Sequence, residues 1–202
     1  MADRYRDHPA GVGVNDVEVP EAAVEDTTDV SADVAHALWA EAARELLVDA
    51  ARRYHHVVTV KALAAEVQER TAMVATRRAH HWIDDVLGLV AEECVARGEP
   101  NLTSLCVNAQ GSVGGGYVPA VTTAAGEGPV DADDHAAVER LACYTYFGAR
   151  GLPADGGVAV LTAQLSASRS RLRKAALDAR ELDTCPTCYL VLPAQGGCNN
   201  CD

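Results

Sequence analysis

The chain has 202 residues, enough for one main domain with a small appendage. Hydrophobic residues make up 49% of it, yet it contains one Phe and two Trp, so small aliphatic residues dominate and regular helices are favoured. Its net charge of −12 argues against a nucleic-acid partner, because phosphate neutralisation by Lys and Arg supplies most non-specific affinity. No apolar stretch is long enough for a membrane span, and charges stand where a signal peptide needs its hydrophobic segment, so we expect a cytoplasmic protein without a membrane partner.

Residues 1–30 are predicted to be a disordered acidic arm. Residues 1–33 contain nine acidic residues against Arg4 and Arg6, which is a net charge of −7. Prolines and glycines interrupt this segment, and it shows no helical or strand period. Because most of the negative charge lies in this segment, the rest of the chain is closer to neutral, and its charge does not exclude a nucleic-acid-binding surface there.

Residues 31–54 are predicted to form a first long helix, since apolar residues recur at helical spacing after a polar cap at Ser31 or Asp33. A short β-branched run follows. Thr59 is then expected to cap a second helix that stops near Arg70.

A third helix is predicted over Arg77–Arg97, with Thr76 as its cap. Gly98 favours the left-handed backbone that ends helices, and Pro100 cannot continue one. The first three elements are therefore helices joined by short connections.

A β-hairpin is predicted next, with a strand over Leu102–Val107, a turn containing Gly111 and a return strand from Tyr117. Three helices followed by a hairpin is the winged-helix order. We therefore predict a mainly α fold with a small β-hairpin wing over residues 31–125, followed by a zinc ribbon at the carboxy terminus.

Residues 130–182 are predicted to be a helical extension of this domain. One helix should run from Asp131 or Asp133 to Phe147. After a second glycine- and proline-rich break, residues 161–182 are expected to form a last, basic helix.

The strongest motif is CPTCYLVLPAQGGCNNC, within residues 183–202, where two Cys-x-x-Cys pairs are separated by nine residues. Four thiolates satisfy the tetrahedral preference of Zn²⁺ and leave no open position, so we predict a structural zinc ribbon, with residues 189–192 packed beside the metal. An iron–sulfur cluster or a redox dithiol is the alternative. The predicted zinc ligands are Cys185, Cys188, Cys198 and Cys201.

Three further cysteines, Cys94, Cys106 and Cys143, have no His/Asn or His/Asp partner pattern and are expected to be buried thiols. His55 and His56 are adjacent, but without a third ligand nearby in sequence they are expected to mark a helix end and not a metal site.

The segment from Val57 to Val121, about a third of the chain, carries VTVKALAAEV and then LTSLCVNAQGSVGGGYV. It resembles the winged helix-turn-helix of the alkyltransferase-like family, in which a strand leads through Thr into a short helix and a glycine-bearing wing closes the domain. The residues in similar places are Thr59, Leu63, Ala64, Gly111 and Tyr117. The family's Pro-Cys-His-Arg acceptor motif is missing, since Pro100 is followed by Asn101, so alkyl transfer is not implied.

If the third helix is a recognition helix, its amino-terminal end should face double-stranded DNA, where Arg can bind guanine. The candidate contacts are Thr76, Arg77, Arg78, His80 and His81. The alternative is a solvated helix start with surface histidines. The last helix adds a basic run that either contacts phosphate or forms a solvated face: Arg169, Arg171, Arg173 and Lys174.

No catalytic constellation is found, because the acidic pairs lie on helices and have no Lys or His in a nuclease spacing. We therefore predict a DNA-binding or DNA-associated accessory or regulatory protein with a structural zinc site, and the sequence favours a protein without enzymatic activity but leaves that question open. The rival is a protein-interaction adaptor that uses the winged helix and the zinc ribbon as docking surfaces. A nuclease or modification subunit that acts only with partners is a third hypothesis.

Overall fold

The computed structural model describes residues 32–179, 184–192 and 197–201, and the predicted acidic arm lies outside them. The described chain is mainly helical, with six α-helices and two short strands. The helices are α1 (Ala32–Ala51), α2 (Val60–Thr71), α3 (Ile83–Arg97), α4 (Tyr117–Ala125), α5 (Ala132–Tyr146) and α6 (Ala163–Asp178). The strands are β1 (Val58–Thr59) and β2 (Cys106–Val107), and short 3₁₀ helices cover Ala79–His81 and Leu102–Leu105. The predicted mainly helical class is confirmed.

The core lies among α1, α2, α3 and the 3₁₀ helix that precedes β2. Leu47 of α1, Leu63 of α2 and Leu102 are completely buried, and burial of each such side chain contributes about 1.5–3 kcal/mol. Trp39 and Trp82 stack at one end of this core with ring centroids 4.4 Å apart. None of the helices in the described part of the chain combines the length and the apolar character that crossing a bilayer requires.

Local capping signals in the sequence correctly predict several helix ends. The hydroxyl of Thr59 accepts a hydrogen bond from the amide of Ala62 at 3.2 Å, so Thr59 is the cap of α2. Gly98 ends α3 with a left-handed backbone (φ 63°). The carboxylate of Asp131 accepts hydrogen bonds from two amides in the first turn of α5. The predicted second and fourth helices are therefore confirmed close to their expected bounds.

The start of the third helix is predicted wrongly. The α-helix begins at Ile83, six residues after Arg77, and Thr76 does not cap it. Trp82 is buried against Trp39 with a backbone outside the helical region (φ −136°), and only the 3₁₀ helix Ala79–His81 precedes it. Residues 77–82 have a helical sequence pattern but do not form an α-helix. Trp82 packs against Trp39 with a non-helical backbone, and α3 begins only at the next residue.

The predicted return strand from Tyr117 is also wrong, since this residue begins α4. β2 pairs in parallel with β1, with Val58 opposite Cys106, and only one isolated antiparallel bridge joins Val107 to Val113. The hydroxyl of Tyr117 lies 2.9 Å from a ring nitrogen of His135 on α5, and the ring is buried between α4 and α5. A hairpin wing is therefore absent from residues 102–125, and the winged-helix fold is not confirmed.

The last helix, α6, lies on the surface and has no buried residue. Two contacts hold its start and middle to the body. The hydroxyl of Thr162, its cap, donates to the carbonyl of Gly111 at 2.8 Å, and Arg169 forms ion pairs with the beginning of α5.

Candidate metal centre

The four cysteines of the carboxy-terminal motif come together, as predicted. Their sulfur atoms all lie within 4.8 Å of one another. The Sγ atoms of Cys185 and Cys201 are 3.8 Å apart, and those of Cys188 and Cys198 are 3.5 Å apart. A tetrahedral ion with sulfur ligands at about 2.3 Å separates its ligands by about 3.8 Å, whereas a disulfide requires about 2.05 Å. The four residues therefore lie close enough to hold a metal ion.

Short backbone contacts build this arrangement from each Cys-x-x-Cys pair. The amide of Cys185 donates to the carbonyl of Leu190 at 2.8 Å, and the amide of Tyr189 donates back to the carbonyl of Cys185 at 2.8 Å. Tyr189 takes a left-handed backbone (φ 57°) to make this turn. In the second pair, the amide of Cys201 donates to the carbonyl of Cys198 at 3.2 Å. Each pair is thus a tight turn that presents two sulfurs to one point.

The electrostatics of the cluster favour a bound cation. Amide donors from Cys188 and Thr187 lower the pKa of Cys185 to about 6, which favours the thiolate form that binds metals. The neighbouring thiol of Cys188, together with desolvation, raises the pKa of Cys201 to about 11. Four sulfurs this close cannot all ionise without a positive charge among them, which a metal ion supplies.

Of the four apolar residues predicted to pack beside the metal, Leu192 is partly buried and the other three are exposed. Tyr189 is 80% exposed, Leu190 53% and Val191 56%, although Cys185 itself is buried. The antiparallel bridge between Thr184 and Val191 orders this short loop. The cluster therefore presents apolar side chains to solvent on a loop that the cysteines hold in place.

The predicted DNA-contacting residues before α3 are all exposed: Thr76, Arg77, Arg78, His80 and His81. They lie on a turn and a 3₁₀ helix, and not on α3. Within the described residues neither Arg77 nor Arg78 forms an ion pair. Asp84 and Asp85, in the first turn of α3, are also exposed, so negative charge lies close to this segment in sequence.

The basic run on α6 divides into two parts. The guanidinium of Arg169 lies 2.9 Å from Asp131 and 2.8 Å from Asp134, with Asp133 at 3.6 Å, so it ties α6 to the start of α5. Neither predicted role, phosphate contact or a solvated face, describes this arginine. The rest of the run is exposed: Arg171, Arg173 and Lys174.

The three other cysteines are buried free thiols, as predicted. Desolvation raises the pKa of Cys106 and of Cys143 to about 12 and raises that of Cys94 as well, so none is an activated nucleophile. In the part of the chain that the structure describes, no other group of three or more metal-ligating side chains is found, and His55 and His56 therefore do not belong to one.

Sequence reasoning missed Arg140, which is only 3% exposed. Its Nη1 donates to the carbonyl of Ser104 at 3.1 Å. A signal for it exists in the sequence, because Arg140 shares the inward face of α5 with Ala136, Ala137 and Tyr144 at helical spacing.

No family model, curated protein or solved structure matches this chain. The function is therefore inferred from the geometry of its own residues.

Proposed function

We propose that the four-cysteine cluster binds one structural Zn²⁺ ion. The sulfur spacing supports this, because 3.5 and 3.8 Å are close to the edge of a zinc–thiolate tetrahedron of about 3.8 Å. Four sulfur ligands fill the coordination sphere, leaving no position for a substrate or an activated water. The ion would therefore order the loop and would not act as a Lewis acid in catalysis.

Elemental analysis of the purified full chain tests this proposal. We expect about one zinc per chain, and we expect the double substitution Cys185→Ser/Cys188→Ser to abolish it. Cys94→Ala is the matched control, since it removes a thiol outside the cluster and should leave the zinc content unchanged. A chain that takes up no zinc, or one that carries iron with the visible absorption of an iron–sulfur cluster, would contradict the proposal.

We further propose that the chain is an adaptor whose zinc ribbon docks on a protein partner. The observation that carries this proposal is the exposure of Tyr189, Leu190 and Val191 on a loop that the cysteines order. Apolar and aromatic side chains form the centre of protein interfaces, and a preordered loop loses little conformational entropy on binding. The net charge of −12 also favours a protein over a nucleic acid.

Photo-crosslinking from the ribbon tests the adaptor function. A crosslinker placed at Leu190 should trap a defined partner in host extract, and Tyr189→Ser/Val191→Ser should abolish trapping while zinc content stays at the wild-type level. Val74→Ser is the control, because Val74 is 82% exposed at a site outside the ribbon. If the ribbon variant traps the same partner as efficiently as the wild type, the ribbon is not the docking surface.

DNA association is the second candidate function. It is favoured by Arg77 and Arg78, which are exposed and form no ion pair within the described residues.

Retention on a DNA column over a range of salt concentrations separates the two functions. Arg77→Gln/Arg78→Gln should lower both the retention and its salt dependence, since each lost phosphate contact reduces counterion release. Arg52→Gln/Arg53→Gln is the matched control, because it removes another exposed arginine pair. If the full chain and a chain without residues 1–33 both flow through at low salt, DNA association is refuted.

A further inference from the structure

A groove between α1, α3 and α4 encloses about 1,050 Å³. Leu89 and Val95 of α3 lie along it and are 37% and 58% exposed, so the single chain does not cover them. The other aliphatic residues and the glycine in this part of the lining are small: Ala37, Gly88, Ala91, Ala96, Pro119 and Ala120. A concave apolar surface of this kind favours an occupant that removes it from water.

The groove is also acidic. Its lining includes four carboxylates and, among the described residues, no Lys or Arg: Asp33, Asp84, Asp85 and Glu92. All four are exposed, and none forms an ion pair within the part of the chain that the structure describes. We call this surface the acidic groove. An occupant that matches it has an apolar stripe for the wall and basic side chains beside that stripe.

Gly88, in the interior of α3, lines the acidic groove. Glycine destabilises a helix interior relative to alanine, so a glycine at such a position calls for a packing reason. A Cβ atom at Gly88 would meet no atom within 4 Å, so packing within the chain does not supply that reason. The missing side chain does let the backbone of an occupant approach α3 closely.

The second half of α6 carries the matching apolar pattern. Residues 170–178 are exposed throughout, whereas Leu165 in the first half is partly buried. Leu172 lies two turns after Leu165 on the same face of the helix, and Ala175 and Ala176 continue that face by another turn. Leu172 is nevertheless 68% exposed. The face that is partly buried in the first half of α6 therefore continues as an uncovered apolar stripe.

Two arginines flank this stripe. At about 100° per residue, Arg171 and Arg173 stand on either side of Leu172. Both are exposed, and neither forms an ion pair within the described residues. Two other segments of the chain lack this match, since residues 1–33 are acidic and residues 184–201 contain no Lys or Arg. The second half of α6 therefore has both the charge and the apolar side chains that fit the acidic groove.

Within one chain α6 does not occupy the acidic groove, because none of residues 163–178 lines it and Arg169 ties the helix to α5. We propose that two copies of the chain form a reciprocal dimer, in which the second half of α6 of each copy docks in the acidic groove of the other. The stripe that begins at Leu172 would face the apolar wall, and the flanking arginines would pair with carboxylates of the groove. Two-fold symmetry makes both contacts together and so doubles the buried area. This dimer does not depend on the zinc, adaptor or DNA proposals.

Sedimentation equilibrium of the full chain tests the proposal. We expect a reversible dimer, with twice the chain mass of 21.2 kDa, and a dissociation constant below about 100 μM. Arg171→Glu/Arg173→Glu, the α6 variant, and Asp85→Lys/Glu92→Lys, the groove variant, should each weaken the dimer at least about tenfold, because like charges then meet in both contacts. The matched control is Arg52→Glu/Arg53→Glu, which makes the same change of charge on exposed arginines outside both surfaces.

A mixture of the two variants makes the test specific. The acidic α6 of one variant would meet the basic groove of the other, while the second contact keeps its wild-type charges. An equimolar mixture should therefore form a heterodimer with a dissociation constant within about threefold of the wild-type value. If the groove variant fails to fold, as judged by tryptophan fluorescence, Gly88→Met replaces it. This substitution places a side chain in the groove without a change of charge and should weaken the dimer at least about tenfold.

Three results would overturn the proposal. The first is a wild-type chain that remains monomeric up to about 500 μM. The second is a dimer that is as tight in the α6 variant, or in both the groove variant and Gly88→Met, as in the wild type. The third is a mixture of folded charge-reversed variants that associates no more tightly than either variant alone. Loss of the dimer in Tyr189→Ser/Val191→Ser but not in the α6 variant would give the second result and assign the interface to the loop of the cysteine cluster.

Discussion

Removal of the proposed zinc ion should unfold the segment that carries the cysteine cluster, here called the ribbon (residues 184–192 and 197–201), and should leave the stability of the helical body almost unchanged. In residues 184–192 and 197–201 only Cys185 is buried, and no ribbon residue belongs to the main hydrophobic core. The free energy of metal binding, about 10–16 kcal/mol for structural zinc in peptides, would therefore stabilise the folded ribbon and not the helical body. We expect the free energy of unfolding of the body to change by less than about 0.5 kcal/mol, which for a chain of this size moves the melting temperature by about 1–2 °C.

The two tryptophans make this prediction measurable, because Trp39 and Trp82 are 5% and 4% exposed and both lie in the core of the body. Their fluorescence should give the same urea and thermal midpoints with zinc, with a chelator and in the variant Cys185→Ser/Cys188→Ser. Amide hydrogen exchange should meanwhile lose its protection at Tyr189, whose amide donates within the ribbon. A fall of more than about 4 °C in the tryptophan midpoint on chelation would show that the ribbon stabilises the body, and would refute the reasoning.

Three further predictions concern the stability of the body. Glu99→Gln should lower the free energy of unfolding, measured with urea, by about 2–3 kcal/mol, because Arg44 donates two hydrogen bonds to this carboxylate, at 2.7 and 2.5 Å, and both side chains are largely buried. The double substitution Arg44→Met/Glu99→Gln should lower it by less than the sum of the two single substitutions, and additive effects would contradict this prediction. Thr59→Ala should cost about 1 kcal/mol through loss of the α2 cap, whereas Thr59→Ser should cost less, measured in the same assay. Hydrogen bonds from backbone amides, and then from Arg169, hold the pKa of Asp131 below its ordinary value of 3.8. The stability that this carboxylate contributes is therefore present above pH 3.8 and is lost as the pH falls further. Urea midpoints measured down to about pH 2 should fall less on acidification in Arg169→Gln than in the wild type.

Signals that act within a few residues of one another can be read from the sequence of this protein. The Cys-x-x-Cys turns bring two sulfurs together by local backbone geometry, and the Thr59, Gly98 and Asp131 caps satisfy helix-end groups of adjacent residues. The cysteine cluster and several helix bounds were therefore predictable.

Contacts between residues that are distant in sequence decided the rest. The sequence of Cys106–Val107 favours a strand but does not specify its partner, and only the assembled fold pairs it with Val58–Thr59. Because Trp82 is buried against Trp39, α3 begins at Ile83 and not at the predicted Arg77.

Arg169 and Arg140 show that the surroundings of a charged side chain also cannot be predicted from the sequence. Arg169 looks like part of a basic surface in the sequence, but the fold places three aspartates around it. Arg140 looks like an ordinary helical arginine, but the packing of α5 buries its charge beside a pocket. The sequence therefore determined the cysteine cluster and the helix caps, whereas the environment of each charge was decided by tertiary packing, because burial and pairing depend on which distant elements meet.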